Sequence, residues 1–253
     1  MRLNLKGKVA LVTGGSRGIG KAICLGFAAE GVMVGVNYVS SKAKAAEVVR
    51  EITETFGVKA VAVKGDVGKQ EEILPMFDAV ERELGPLDIL VNNAAHCPSG
   101  PISAYTKESW EHTFSVNVTG AFLASQEFIR RLRARKAKGK IVNIASQAAF
   151  LGSTSGHLPY DASKGALISM TRSIAREVAE EGINVNAIAP GMVMTEMVAE
   201  IWEKKKDFYL SRIPMKRIAE PEEIANVTVF LASDAASFMT GTTSDLTGGL
   251  MMR

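Results

Sequence analysis

Tyr160 and Lys164 stand four residues apart just after Pro159, in a stretch predicted to be helical, so both side chains fall one turn apart on the same face. A tyrosine with an ordinary pKa near ~10 keeps its proton at neutral pH and is a poor base. Bringing it near ~7 takes roughly 4 kcal/mol of extra stabilisation for the phenolate, at about 1.4 kcal/mol per unit. A lysine ammonium and an oxidised nicotinamide, both positive and partly desolvated, have the right sign to supply it. Ser146 follows the apolar run 141–145, whose end should share a sheet edge with the helix that begins at Pro159. A serine hydroxyl there can hold a substrate oxygen while the tyrosine delivers or removes its proton. Tyr and Lys at this spacing also occur by chance on many helices. A plain loop serine needs no role, and Ser153 and Ser155 are neighbours of the same type. No Cys/His/Asp set and no G-x-S-x-G turn favours acyl transfer instead.

A second group of residues suits a dinucleotide. Thr13-Gly14-Gly15-Ser16-Arg17-Gly18-Ile19-Gly20 follows the first apolar run and leads into a helix. Glycines let backbone approach a pyrophosphate closely, and the helix start offers free N–H groups and a positive dipole end. The spacing departs from G-x-G-x-x-G, and a bland strand-to-helix turn would read much the same. Its place after the first strand of an alternating chain favours the nucleotide. Asp66, before Val67, can accept from an adenine amino group or simply cap the next helix. Asn93-Ala94-Ala95 leaves room for a ribose, or is an Asx turn. At the end of the second strand, an acid would suit a free ribose 2′-hydroxyl and repel a 2′-phosphate. The chain has Tyr38, Ser40 and Ser41 there and no acid, while Arg17 can meet a phosphate. NADP(H) is therefore expected in preference to NAD(H).

These residues need a scaffold that brings strand ends together. Apolar runs at 9–13, 32–36, 58–63, 87–91, 140–145 and 183–188 alternate with helical stretches such as 21–30 and 42–55. Short continuous apolar strands between helices mean strands buried on both faces, hence a doubly wound parallel α/β sheet. Ligands of such a sheet bind beyond the carboxyl ends of its strands, where the residues above fall. With no linker or repeat, residues 1–253 are expected to form a single domain. A net charge of +3 without an aromatic-spaced basic stripe excludes nucleic acid as the expected partner. No membrane span or secretory signal is read, and Cys24 and Cys97 form no disulfide or metal pattern, so a reducing cytoplasm is expected.

The ordered motifs Thr13-Gly-x-x-x-Gly18-Ile-Gly20, Asp66, Asn92-Asn93-Ala94, Asn117, Ser146, Tyr160-x-x-x-Lys164 and Ala189-Pro190-Gly191 resemble the short-chain dehydrogenase/reductase family over essentially the whole chain. The resemblance implies a Rossmann fold and a Tyr-centred tetrad in which Asn117 orders a relay water on Lys164 and Lys164 also grips the nicotinamide ribose. It implies that Pro190 and Gly191 line the nicotinamide, with Val193 nearby, that Thr195 bonds its carboxamide, and that the protein is a homotetramer. Residues 192–216 fall where relatives carry a substrate lid. Within the family the chain is most similar to 3-oxoacyl-[acyl-carrier-protein] reductases, through Val36-Asn37-Tyr38-x-Ser-Ser, Arg176-Glu177, Ile183-Asn-Val-Asn186 and Ile213-Pro-x-x-Arg217. Sugar, polyol and other small-ketone reductases share these stretches. Two departures stand out: Ala95 replaces the family's usual glycine, and the 146–160 segment is about one residue longer.

The resemblance implies reversible reduction of a ketone to a secondary alcohol; a catalytically idle nucleotide-binding regulator is the rival, against which the intact tetrad speaks. Apolar or small residues on several faces of the helices around 117–133 and 160–181, including Ala121, Ala124, Ala166, Met170 and Ile174, suggest subunit partners. An acyl carrier protein is strongly acidic, yet Glu180 and Glu181 stand where carrier-type relatives often place a basic residue. The basic run 130–140 either compensates or is a solvated helix end. Trp202, Phe208, Tyr209, Met192, Met194 and Met197 either wall a lid or pack in the core, and His96 and His157 either touch substrate or are solvated.

Overall fold

A computed structural model describes residues 2–154 and 156–252, without the side chains of Met197, Glu200 and Ile201, so Ser155 and the Met197 side chain lie outside the described residues. β1 (Val9–Val12), β2 (Met33–Tyr38), β3 (Ala60–Lys64), β4 (Ile89–Asn92), β5 (Gly139–Ile144), β6 (Ile183–Pro190) and β7 (Thr243–Leu246) form one parallel sheet in the order β3-β2-β1-β4-β5-β6-β7. The direction of strand progression reverses between β1 and β4, which opens a crevice at the carboxyl edge. Alternating side chains of the buried strands feed two cores. One packs Val34, Val36 and Val142 against Phe27 and Ile224, and the other packs Leu11, Leu90 and Ile141 against Phe77 and Phe128.

Helices cover both faces: α1 (Gly18–Ala29), α2 (Lys42–Phe56), α3 (Gln70–Leu84), α4 (Lys107–Phe114), α5 (Ala121–Ala134), the short α6 (Ala148–Leu151), α7 (Leu158–Val178), α8 (Glu196–Arg212) and α9 (Pro221–Leu231). The helix after the glycine turn begins at Gly18, not at residue 21, so the last two motif glycines already belong to it. β2 extends to Tyr38, and β7 was not foreseen: Thr-Ser-Asp-Leu has no apolar run and is a strand only because β6 offers a free ladder edge. A π-helical segment, Ser115–Gly120, joins α4 to α5. α7 starts with Pro159 in its first turn and Asp161 near its positive end, and it buries Ser163, Lys164, Leu167, Ile168, Thr171, Ala175 and Val178 along one stripe. Among the described residues no helix is long and apolar enough to cross a membrane.

Candidate active site

The carboxyl edge of the sheet holds a cavity of about 1240 Å³ running from the glycine turn to α8. All of Gly14, Ser16, Arg17, Gly18, Ile19, Gly20, Tyr38, Ser40 and Ser41 line it, as do Asp66, Val67, Asn93, Ala94 and Ala95. Ser146, Tyr160, Lys164, Pro190, Gly191, Val193 and Thr195 complete the expected set there, while Asn117 lies behind the wall. The glycine turn is built by close approach. Gly14 has a φ of 64° and Gly18 one of 53°, and a Cβ on Gly20 would stand 2.2 Å from the Gly14 carbonyl oxygen. Thr13 Oγ1 accepts from the backbone N–H groups of Asn93 (2.9 Å) and Ala94 (3.0 Å). Asn93 Nδ2 donates to Thr13 O (2.9 Å) and Gly14 O (3.1 Å). The Asn93 amide thus clamps the glycine turn instead of closing an Asx turn. Asn37 ties the same turn to the end of β3, accepting from Gly14 N at 3.0 Å and donating to Gly65 O at 2.8 Å. Asp66 accepts from Gly68 N at 3.0 Å and does not cap α3, whose N-terminal flank is Lys69. A nucleotide cradle that side chains would fill is what these contacts maintain, and its residue set fits a dinucleotide.

Farther along the edge, Lys164 is 2% exposed, and its ammonium donates to Ile144 O at 2.7 Å and stands 5.4 Å from the Tyr160 ring centre. Burial pulls its pKa down to about 8, while Cys97 acts in the opposite sense. The Tyr160 phenol moves the other way: burial, then the Cys97 thiol, push it above its ordinary value, and the Ser146 hydroxyl beside it partly offsets the rise. The phenol thus holds its proton in the chain by itself, the form that can give a proton to a substrate oxygen. Ser146 Oγ accepts from Ala148 N at 3.1 Å, which leaves its own hydrogen for another acceptor. Ser153 is turned aside, bonded to Asp161 through its hydroxyl (2.6 Å) and its N–H (2.7 Å).

Asn117 sits in the π segment with its amide fully engaged. Its Oδ1 accepts from His96 N (2.7 Å), and its Nδ2 donates to His96 O (2.9 Å) and Ser163 Oγ (2.9 Å). Ser163 Oγ in turn donates to Tyr160 O at 2.7 Å. Beneath, register sets Asn92 opposite Asn143, and Asn92 Nδ2 donates to Asn143 Oδ1 at 2.8 Å. All three histidines of the chain line the cavity, His96 and His112 edge-to-face at 4.6 Å and His157 beside Cys97. From the sequence Cys97 had no site role and His112 was not singled out, because only folding carries α4 and the β4 loop to one place. Cys24 is buried in the core.

Residues 14–251 match the family described as enoyl-(acyl carrier protein) reductase. The 3-oxoacyl-[acyl-carrier-protein] reductase FabG of Staphylococcus epidermidis is 39% identical over 97% of this chain and 99% of its own. An uncharacterised oxidoreductase of Escherichia coli, YgfF, is 41% identical over 95% and 99%. Among solved structures, L-sorbose reductase from Gluconobacter frateurii, complexed with NADPH and L-sorbose, superposes with a TM-score of 0.92 at 32% identity over the whole of both chains. A Serratia marcescens short-chain dehydrogenase/reductase does so at 0.90 with 34% identity, over 97% of this chain and 98% of its own.

The chain belongs to the short-chain dehydrogenase/reductase family. As such it is an oxidoreductase of CH–OH and ketone groups on the Rossmann fold. In this member of the family the segment after Pro190-Gly191 forms α8, bent at Lys205, with no residue among its described side chains buried. Trp202 and Phe208 therefore pack outside the core, under the cations of Lys206 (5.9 Å) and Arg212 (5.5 Å), while Tyr209 lines the cavity. Glu196, at the start of α8, pairs with Lys44 of α2 at 2.8 Å across the cofactor groove. The basic run is largely spent on the protein itself. Arg130 pairs with Glu127, Arg131 with Asp78, Glu81 and Glu127, Arg133 with Glu177 and Glu181, and Arg135 donates to Leu87 O.

Proposed function

We propose that this protein reduces the ketone of a small molecule to a secondary alcohol with NADPH, Tyr160 giving the proton and Ser146 holding the substrate oxygen. The observation that carries this reading is the placement of two hydroxyls, Ser146 and Tyr160, side by side at the end of β5 with the buried Lys164 ammonium behind the phenol. Two hydroxyls converging on one point suit an oxygen that gains a proton, so carbonyl chemistry is favoured over reduction of an alkene. When bound, the nicotinamide supplies the hydride to the carbonyl carbon. Tyr160 transfers its proton to the oxygen, and the phenolate left behind is held by the Lys164 ammonium, itself anchored on Ile144 O. Asn117 is a positioning residue: through Ser163 it fixes the backbone of Tyr160, and through His96 it fixes the loop after β4. Pro190, Gly191, Val193 and Thr195 border the nicotinamide end.

Preference for NADPH rests on Arg17, exposed at the cavity mouth, and on the lack of any acid at the end of β2, where Tyr38 stands. Residues 192–216 act as a lid, tied to α2 by the Lys44–Glu196 pair. Carrier-bound substrates are disfavoured, because Arg130, Arg131 and Arg133 of the basic run are neutralised by neighbouring carboxylates. The polar lining by His96, His157 and Gln147 favours a sugar, polyol or other small ketone as the second reading of the substrate. Homotetramer assembly is the further part of the proposal. Ala121 and Ala124 are buried within the subunit, so the outward faces that call for partners are Trp110 of α4 and Phe122 of α5, 37% and 43% exposed.

The test is Tyr160→Phe assayed by NADPH oxidation over a panel of ketones. Turnover is expected to fall at least ~100-fold, the usual worth of a positioned acid, while NADPH affinity stays within about twofold. Lys164→Met should damage both. Retained turnover in Tyr160→Phe assigns the proton to another group.

A further inference from the structure

His157 enters the cavity one turn before Tyr160, and its ring has only one tautomer that fits its surroundings. Nδ1 lies 2.8 Å from the Pro98 carbonyl oxygen and 3.6 Å from Cys97 Sγ. A carbonyl oxygen carries lone pairs only, so Nδ1 must bear the hydrogen and donate it. In that tautomer the lone pair lies on Nε2, on the side of the ring turned from Pro98. Among the described residues Nε2 has no hydrogen-bond partner and is not among the enclosed polar atoms, so it is accessible on a residue that lines the cavity. The only carboxylates among the described residues that line this cavity are Asp66, just past β3, and Glu196, held by Lys44; Asp161, next to Tyr160, is engaged by the hydroxyl and N–H of Ser153. An acceptor without a donor, placed beside the reacting group, selects for a hydrogen on the substrate.

We propose that His157 Nε2 accepts a hydrogen bond from a substrate hydroxyl, so that the preferred substrate is a hydroxyketone rather than a ketone on a plain hydrocarbon chain. The proposal rests on the ketone-reductase reading above. His157 flanks the start of α7 and Tyr160 stands in its first turn, so both side chains reach the same end of the cavity. Because Tyr160 must reach the carbonyl oxygen, the hydroxyl belongs on the first or second carbon from the carbonyl. A simple 3-oxoacyl chain has only C–H groups at those positions on its alkyl side and leaves Nε2 unpaired. That loss is felt where water is displaced from the pocket.

The experiment uses the unmodified protein, NADPH and two matched sets of ketones. 1-Hydroxy-2-butanone is compared with 1-methoxy-2-butanone and 3-pentanone, and 4-hydroxy-2-butanone with 4-methoxy-2-butanone and 2-pentanone. The methoxy compounds keep the electron-withdrawing oxygen, and with it the intrinsic reactivity of the carbonyl, but lose the hydrogen. In at least one set kcat/KM should be roughly tenfold higher for the hydroxyketone than for both analogues, the worth of one hydrogen bond. His157→Phe should bring the hydroxy-to-methoxy ratio down towards one, and His157→Gln, which can offer an amide oxygen, should restore part of it. Equal turnover of hydroxy and methoxy compounds in both sets, or a ratio untouched in His157→Phe, overturns the inference while leaving ketone reduction in place. Absence of turnover with every ketone overturns the function itself, and the inference with it.

Discussion

Lys164 carries two opposing demands: it must be charged to hold a phenolate, and it is buried. Burial wins in part, pulling its pKa down to about 8. Below that value the side chain is an ammonium and supports Tyr160; above it the amine is neutral and support is lost. The kcat/KM for ketone reduction should therefore fall through a single limb near pH 8. In Lys164→Arg, whose guanidinium keeps its proton, whatever activity remains should stay flat to about pH 10. A limb unchanged in Lys164→Arg would assign it to another group. Stability should move the other way. Between about 8 and the ordinary 10.5 the unfolded chain binds the proton that the folded one releases, so stability rises with pH over that window. Urea unfolding at pH 7.5 and 9.5 should show the difference between Lys164→Met and the parent shrinking or reversing as pH increases.

At the level of elements, the junction of β1 and α1 is held by backbone contacts that leave no room for a side chain. Gly20→Ala would drive a Cβ into the Gly14 carbonyl and the Asn93 amide, 2.2 and 2.6 Å away. The clamp from Asn93 to the glycine turn must then open, while the two sheet cores are untouched. NADPH affinity should weaken by tenfold or more in isothermal titration, with the far-ultraviolet circular dichroism unchanged. Normal affinity would show that the turn is not the phosphate cradle. The π segment serves a comparable purpose at the other end. It sets Asn117 between the β4 loop and α7, and a Cβ on its Gly120 would reach Val67 O at 2.6 Å. Both devices are local irregularities that bring the ends of separate strands to fixed distances.

For the whole molecule, the proposed tetramer would cover the exposed rings of Trp110 on α4 and Phe122 on α5. Light scattering at micromolar concentration should give four times the 27.1 kDa chain mass, and Phe122→Glu should lower it. A monomer in the parent protein would contradict that assembly. The internal pairing of Arg130, Arg131 and Arg133 bears on a larger partner. The same β-ketoacyl group on a short thiol and on an acidic carrier protein should give kcat/KM values within a few fold at low salt, where attraction is least screened. A large carrier advantage that vanishes in high salt would restore the carrier as the physiological partner.

The residue types and their spacing were enough to read the parallel sheet and to place the glycine turn, Ser146, Tyr160 and Lys164 at its carboxyl edge, because burial on both faces and helical pitch are local properties of the chain. The same reading missed β7, whose polar Thr-Ser-Asp-Leu becomes a strand only beside β6. It left open the choice among Ser146, Ser153 and Ser155, and the structure turns Ser153 to Asp161. It could not foresee the partners of the Asn117 amide, which the fold spends on His96 and Ser163. It saw a basic run without its partners on α3 and α7, and three histidines without their common cavity. Hydrogen-bond partners, tautomers and neutralised charges depend on groups distant in sequence and close in space. Only the packing of one element against another decides them.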